Sequence, residues 1–181
     1  IQKDYTWLMK NISNDVIVEN ISDKISLIAL QGPNSRELLA ILTKINLQMP
    51  FYTFKEGLVC NFPVLVSRTG YTGELGFEIY GDTEAIITIW DELLKVGAEP
   101  AGLAARDILR MEMKYCLYGN DINEETNPLE AGLSWITALD KGSFIGFDKI
   151  QKEKFDGTKK KLVSVKMKER GIPRSGYQIY V

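Results

Sequence analysis

Residues 67 to 80 read SRTGYTGELGFEIY, and they constrain the fold more tightly than any other stretch. Gly70, Gly73 and Gly76 recur at three-residue spacing between two runs of strand-forming residues, so the chain must bend sharply there and return into a sheet. The return strand alternates. Phe77 and Ile79 fall on one face, Glu78 and Tyr80 on the other. With the first pair turned into a core, a single acid is left on the opposite sheet face beside a tyrosine. The glycine pattern lacks both the G-x-G turn of a dinucleotide fingerprint and the GK[ST] of a phosphate loop, which makes a phosphate cradle a weak reading. Positive backbone angles and close approach in a strand-to-strand connection are the expected uses of these glycines. Two readings of Glu78 stay open: a solvated acid on an open sheet face, or a carboxylate that, with the Tyr71 ring on the preceding loop, holds a heterocycle presenting N–H donors.

The surrounding elements give an α+β chain. A helix is expected over DYTWLMKNIS and an alternating strand over DVIVENI. ISLIALQG reads as a buried strand and NSRELLAILTKI as a helix capped at Asn34 or Ser35. FYTFKEGLVCNFPVLVSRT carries two or three strands, with turns at Gly57 and around Asn61 to Pro63. DTEAIITIWDELLKVGA reads as a helix capped at Asp82 or Thr83, with Ile86, Ile89, Trp90 and Leu93 facing inward and Gly97 ending it. GLAARDILRMEMKYC is a further helix, residues 117 to 134 are loop-rich, and FDKIQKEKF is the last helix. KKLVSVKM is expected to be a strand, and GIPRSGYQIYV the beginning of a β module. Residues 1–160 therefore form a central region and 161–181 the start of a C-terminal module. A first residue other than Met, and a last residue inside a strand-like run, lead to the expectation of a fragment.

Composition narrows the chemistry. The 181 residues are 45% hydrophobic and include no histidine, so Ser-His-Asp and Cys-His centres cannot be built from this chain and a zinc site is disfavoured. Carboxylates, arginines and tyrosines remain. The 22 basic and 24 acidic residues nearly balance. That balance, with KKK at Lys159 to Lys161 as the one dense basic run, does not suggest a nucleic-acid partner. Cys60 and Cys116 lie in no metal-ligand spacing and read as buried thiols of a reducing compartment. No apolar run approaches the ~18 residues of a membrane span. The acidic loop LYGNDINEETNPLE lacks the oxygen order and the sixth-position glycine of a calcium loop.

On the helix after Pro100, Arg106 and Arg110 share a face. Asp107 is placed to pair with Arg110. Arg106 then needs a partner from another element or from a ligand.

Four segments together, SRTGYTGELGFEIY, AGLAARDILRMEMKYCLYGNDINEETNPLEAGLSW, LDKGSFIG and RGIPRSGY, resemble the aminomethyltransferase (T protein) family of the glycine cleavage system, in order and with similar gaps; LIALQGPNSRELL fits as well. The resemblance covers essentially the whole chain. It implies a folate-binding fold and release of ammonia from an aminomethyl group on the lipoyl arm of H protein. The one-carbon unit would pass to tetrahydrofolate, giving methylenetetrahydrofolate. It also implies that Glu78, Tyr71 and Arg106 line the folate pocket, with Trp135 and Tyr118 in motifs near it, and that the protein works in a bacterial cytoplasm or a mitochondrial matrix. The family's catalytic Asp belongs to an earlier segment, so no Asp here takes that role. Leu75 stands where the family commonly has an acid. Related folate-dependent demethylases, the folate regions of dimethylglycine and sarcosine dehydrogenases, and a non-catalytic folate-binding module are the alternatives. A branch linked to iron–sulfur cluster repair is disfavoured, because DKGSFIGFDK lacks its cysteine.

Overall fold

The computed structural model describes residues 1–174 and 176–178, and it divides into two compact units, 1–113 and 114–181. The first unit contains helix α1 (Gln2–Asn11), strand β1 (Ser26–Gln31), helix α2 (Ser35–Leu42), strands β2 (Phe54–Val59), β3 (Phe62–Ser67) and β4 (Gly76–Gly81), and helices α3 (Thr83–Lys95) and α4 (Leu103–Glu112). The strands form one antiparallel sheet in the order β1-β4-β3-β2.

Period-two alternation decides which face of the sheet is covered. Ile28 and Leu30 of β1, Val64 and Val66 of β3, and Phe77 and Ile79 of β4 are buried. They join Leu39 of α2 and Ala85, Ile86, Ile89 and Leu93 of α3 in one core, so helices cover that face. Leu27, Phe54 and Leu58 project from the other face and are exposed. The cap of α3 is as expected, with Asp82 Oδ1 accepting the Ala85 N–H at 2.8 Å. Asn34 occupies the N-cap of α2 without a side-chain hydrogen bond. Trp90 departs from the expected inward stripe of α3 and is 42% exposed.

The β2–β3 hairpin turns through Cys60 and Asn61, at φ 51° and 67°. These angles suit a tight mirror-image turn, which matches the right-handed twist of the strands. Gly57 does not make a turn, as the sequence had suggested. It lies within β2, where a Cβ would stand 2.6 Å from the Ile45 side chain. Pro63 is tolerated in β3 because that strand pairs with β4 only over Leu65 to Ser67. The expected strand at DVIVENI does not form: among the described residues β1 pairs on one side only, with β4, and residues 16–21 pair with nothing regular.

Among its described residues the second unit consists of turns and one regular helix, α5 (Phe147–Asp156). Asn127 caps a turn reciprocally: its Oδ1 accepts the N–H of Leu129 and of Glu130, and the Asn127 N–H donates to Glu130 Oε2 at 3.2 Å. Ala131 is buried, and its carbonyl lies 3.8 Å from Cys116 Sγ. The strand expected at KKLVSVKM does not form, because this stretch finds no strand partner among the described residues. Residues 175 and 179–181 of the GIPRSGYQIYV stretch lie outside the described residues, and the remainder is irregular.

Candidate functional site

Glu78 leaves β4 on the uncovered face of the sheet, where Phe54 and Leu65 join it with Tyr80, Thr69, Ile21 and Ile25 in an open cleft of about 1020 Å³. The carboxylate is held. Thr69 Oγ1 donates to Glu78 Oε2, and the Tyr80 hydroxyl approaches the same oxygen at 3.4 Å. Ser67 Oγ lies 2.6 Å from Thr69 Oγ1, extending a short polar chain along the strand ends. A half-buried carboxylate in an apolar cleft, with one oxygen occupied by hydroxyls, has its remaining acceptor capacity for a ligand presenting N–H groups.

Burial, reinforced by the Glu78 charge, pushes the Tyr80 phenol above its ordinary 10.0. Glu78→Gln is therefore expected to lower the Tyr80 titration midpoint without returning it fully, since burial remains. NMR of the Tyr80 ring carbons against pH checks this. Because the folded pKa is the higher one, the associated stability is complete below the unfolded pKa and is lost as pH rises through the folded value.

Tyr71 and Arg106 meet each other on the helical side of the loop. The Arg106 guanidinium sits 4.7 Å from the Tyr71 ring centroid, a cation–π contact. No salt bridge reaches Arg106 among the described residues. Asp107 takes Arg110 as expected, at 2.7 Å, and Arg110 is buried. Arg106 also borders a separate, mainly apolar cavity of about 400 Å³ between β1, α2, α3 and α4, together with Gln31, Thr72, Trp90 and Leu109. Thus Tyr71 and Arg106 are brought together, whereas Glu78 lines a different cleft. Trp135 belongs to the second unit, on a single 3-10 turn, 66% exposed. Tyr118 lies in the same unit, in an isolated bridge with Ile122.

Gln31, which carried no signal in the sequence, ties the two sides of the loop together. Its Nε2 donates to the carbonyls of Thr69 and Phe77, each at 3.3 Å, and its Oε1 accepts from Thr72 Oγ1 at 3.4 Å. The side chain wedges between Gly70 and Gly76, where an added Cβ would lie 2.0 and 2.1 Å from Oε1. These two glycines serve close approach; only Gly73 of the three has a positive φ, 80°. Gln31→Leu leaves the two part-buried carbonyls without that donor and is expected to cost about 1–3 kcal/mol. Urea denaturation checks the loss, with faster amide exchange over 70–75 as its local signature.

Residues 1–141 match the family described as GCVT N-terminal domain. The chain is 49% identical to an aminomethyltransferase of Halothermothrix orenii and 47% identical to one of Caldanaerobacter subterraneus, each over 99% of this chain and over 52% and 50% of those proteins. It spans about half the length of these curated relatives. Among solved structures it resembles the glycine cleavage system aminomethyltransferase T from Bartonella henselae, with a TM-score of 0.73 and 32% identity over 86% of this chain and 43% of that one. The α+β architecture is that of the T protein. The sheet, its covering helices and the glycine-bent loop before Glu78 are thus the frame of a known fold, and the chain belongs to the GCVT N-terminal domain family.

Proposed function

We propose that this chain forms the central part of a tetrahydrofolate-dependent aminomethyltransferase of glycine cleavage, and that Glu78 binds the folate heterocycle. The observation that carries the reading is the Glu78 carboxylate itself, held by Thr69 and Tyr80 inside a cleft walled by Phe54 and Leu65. A carboxylate accepts two N–H bonds from a 2-aminopyrimidinone edge, and its charge strengthens both. The matching relatives named aminomethyltransferase support the same assignment. Tyr71 and Arg106, which pair with each other outside the Glu78 cleft, and Trp135 are assigned to folate contacts on the strength of the family motifs alone. The lipoylated H protein is the proposed donor partner, ammonia the released product and the cytoplasm the compartment suggested by bacterial relatives. No helix among the described residues is long and apolar enough to cross a membrane. Residues 1–160 would belong to the folate-binding region and 161–181 would open the C-terminal β module.

Tetrahydrofolate, when bound, supplies the nitrogen that accepts the one-carbon unit. The chain's own contribution is positioning. Glu78 fixes the heterocycle by its N–H edge, Thr69 and Tyr80 fix Glu78, and the apolar cleft walls displace water from these bonds. Gln31 holds the loop that carries Thr69 and Tyr71. The rate gain follows from proximity and preorganised electrostatics. No residue of this chain is assigned as the catalytic acid. Tetrahydrofolate titrated into the wild-type chain and into Glu78→Gln tests the reading; equal affinity for both would remove its basis.

A further inference from the structure

Two arginines outside both clefts lie on segments that are hydrogen-bonded to the end of the same loop. Arg36 lies in the first turn of α2, next to Ser35, whose Oγ donates to the Leu75 carbonyl at 3.2 Å. Arg68 follows β3, and its Nη1 donates to the adjacent Gly76 carbonyl at 3.1 Å. Arg68 is anchored through its backbone and through one face of its side chain. Its backbone N–H donates to the Thr53 carbonyl at 2.8 Å, and its carbonyl accepts from Tyr52 at 3.1 Å. Its guanidinium lies 4.9 Å from the Phe51 ring centroid and 5.6 Å from that of Phe77. Tyr52 itself holds a φ of 61°, a conformation that a bulky residue rarely adopts.

Neither guanidinium has a carboxylate partner among the described residues. The Arg36 Nε is shut off from solvent and has no hydrogen-bond acceptor among the described residues. Burial, then the nearby Arg36 charge, lowers the Arg68 pKa. A buried, unpaired N–H and two like charges held near one another are each unfavourable. An oxyanion relieves both conditions at once. Guanidinium groups present planar forks of N–H donors that match carboxylate and phosphate geometry.

We propose that Arg36 and Arg68 form a binding site for a small oxyanion, a carboxylate or phosphate group, at the Leu75–Gly76 end of the loop. The site is independent of the folate reading. Glu78 accepts N–H donors on the uncovered sheet face, whereas the arginine pair donates to an anion. An occupant there would fasten α2, β3 and the loop end together.

The test uses the ¹⁵N-labelled 181-residue chain, observed at the arginine Nε–H resonances and titrated separately with inorganic phosphate and with succinate at constant ionic strength. Saturable shifts of both Arg36 and Arg68 are expected with at least one anion, and the anion that saturates at lower concentration identifies the ligand class. Arg36→Gln and Arg68→Gln should each weaken that affinity at least tenfold, while Arg174→Gln leaves it unchanged. Arg36→Lys keeps the charge but loses the fork; it too should weaken binding, which covers the case in which the glutamine variant does not fold. Shifts that never saturate, or an affinity equal in wild type and Arg36→Lys, would overturn the proposal in favour of a diffuse counterion atmosphere.

Discussion

Glu78→Gln is expected to weaken tetrahydrofolate binding by roughly 100-fold, about 3 kcal/mol. Glutamine keeps the length and planarity of the side chain. It removes the negative charge and replaces one acceptor oxygen by an NH₂ donor, so one N–H of the heterocycle meets another donor and the other loses its charge assistance. A hydrogen bond to a charged group contributes about 1.5–3 kcal/mol, which sets the scale for the two together. The substitution should hardly change folding, because Glu78 is only half-buried and the Thr69 and Tyr80 hydroxyls can still donate to the remaining oxygen. Glu74→Gln, four residues earlier on the exposed loop, should leave binding unaltered. Isothermal titration of the three proteins separates these outcomes.

Phe77→Ala, one residue away, is expected to act on stability, with a loss of about 3–5 kcal/mol. Phe77 is fully buried in the core shared with Leu39, Ile79 and Ile89. Removing its ring takes away a large apolar burial and leaves a cavity that neighbouring strands cannot close without breaking the β1–β4 and β3–β4 pairing. Domains of this size are stable by only about 5–15 kcal/mol, so the variant should approach marginal stability. Ile87→Ala, on the exposed side of α3, should change stability by no more than about 0.5 kcal/mol. Urea midpoints at fixed temperature give both values. The contrast between adjacent positions 77 and 78 follows from the period of a strand: one side chain supports the fold, and its neighbour faces a ligand.

Local pattern carried much of this architecture. Asp82 before an amphipathic run marked the start of α3, and the alternation of Phe77, Glu78, Ile79 and Tyr80 correctly sorted the two faces of β4. Asp107 three residues before Arg110 was enough to foresee that pair. The misreadings concern partners. DVIVENI and KKLVSVKM alternate as strands do, but a strand is stabilised by cross-strand neighbours, and these segments have none among the described residues. Gly57 resembled a turn signal because the Ile45 side chain that needs its space is twelve positions distant.

The site was legible only in part for the same reason. Glu78 stood out as an acid among apolar neighbours, and Arg106 as a cation in need of a partner. Nothing in ALQG announces that Gln31 will fill the space beside two glycines roughly forty residues later, since its hydrogen bonds exist only once β1 lies against β4. That Ser35 and Arg68 both bond to the Leu75–Gly76 end of the loop likewise depends on where α2 begins and β3 ends. Tyr71 and Glu78 are seven residues apart, yet Tyr71 meets the Arg106 guanidinium while Glu78 lines the cleft on the sheet face, an outcome that spacing alone does not reveal.

The most direct test of the central claim is a crystal structure of the protein with tetrahydrofolate bound. The account predicts the N–H edge of the heterocycle within hydrogen-bonding distance of the Glu78 carboxylate, in the cleft bounded by Phe54, Leu65 and Tyr80. A folate bound elsewhere, with Glu78 facing water, would contradict it.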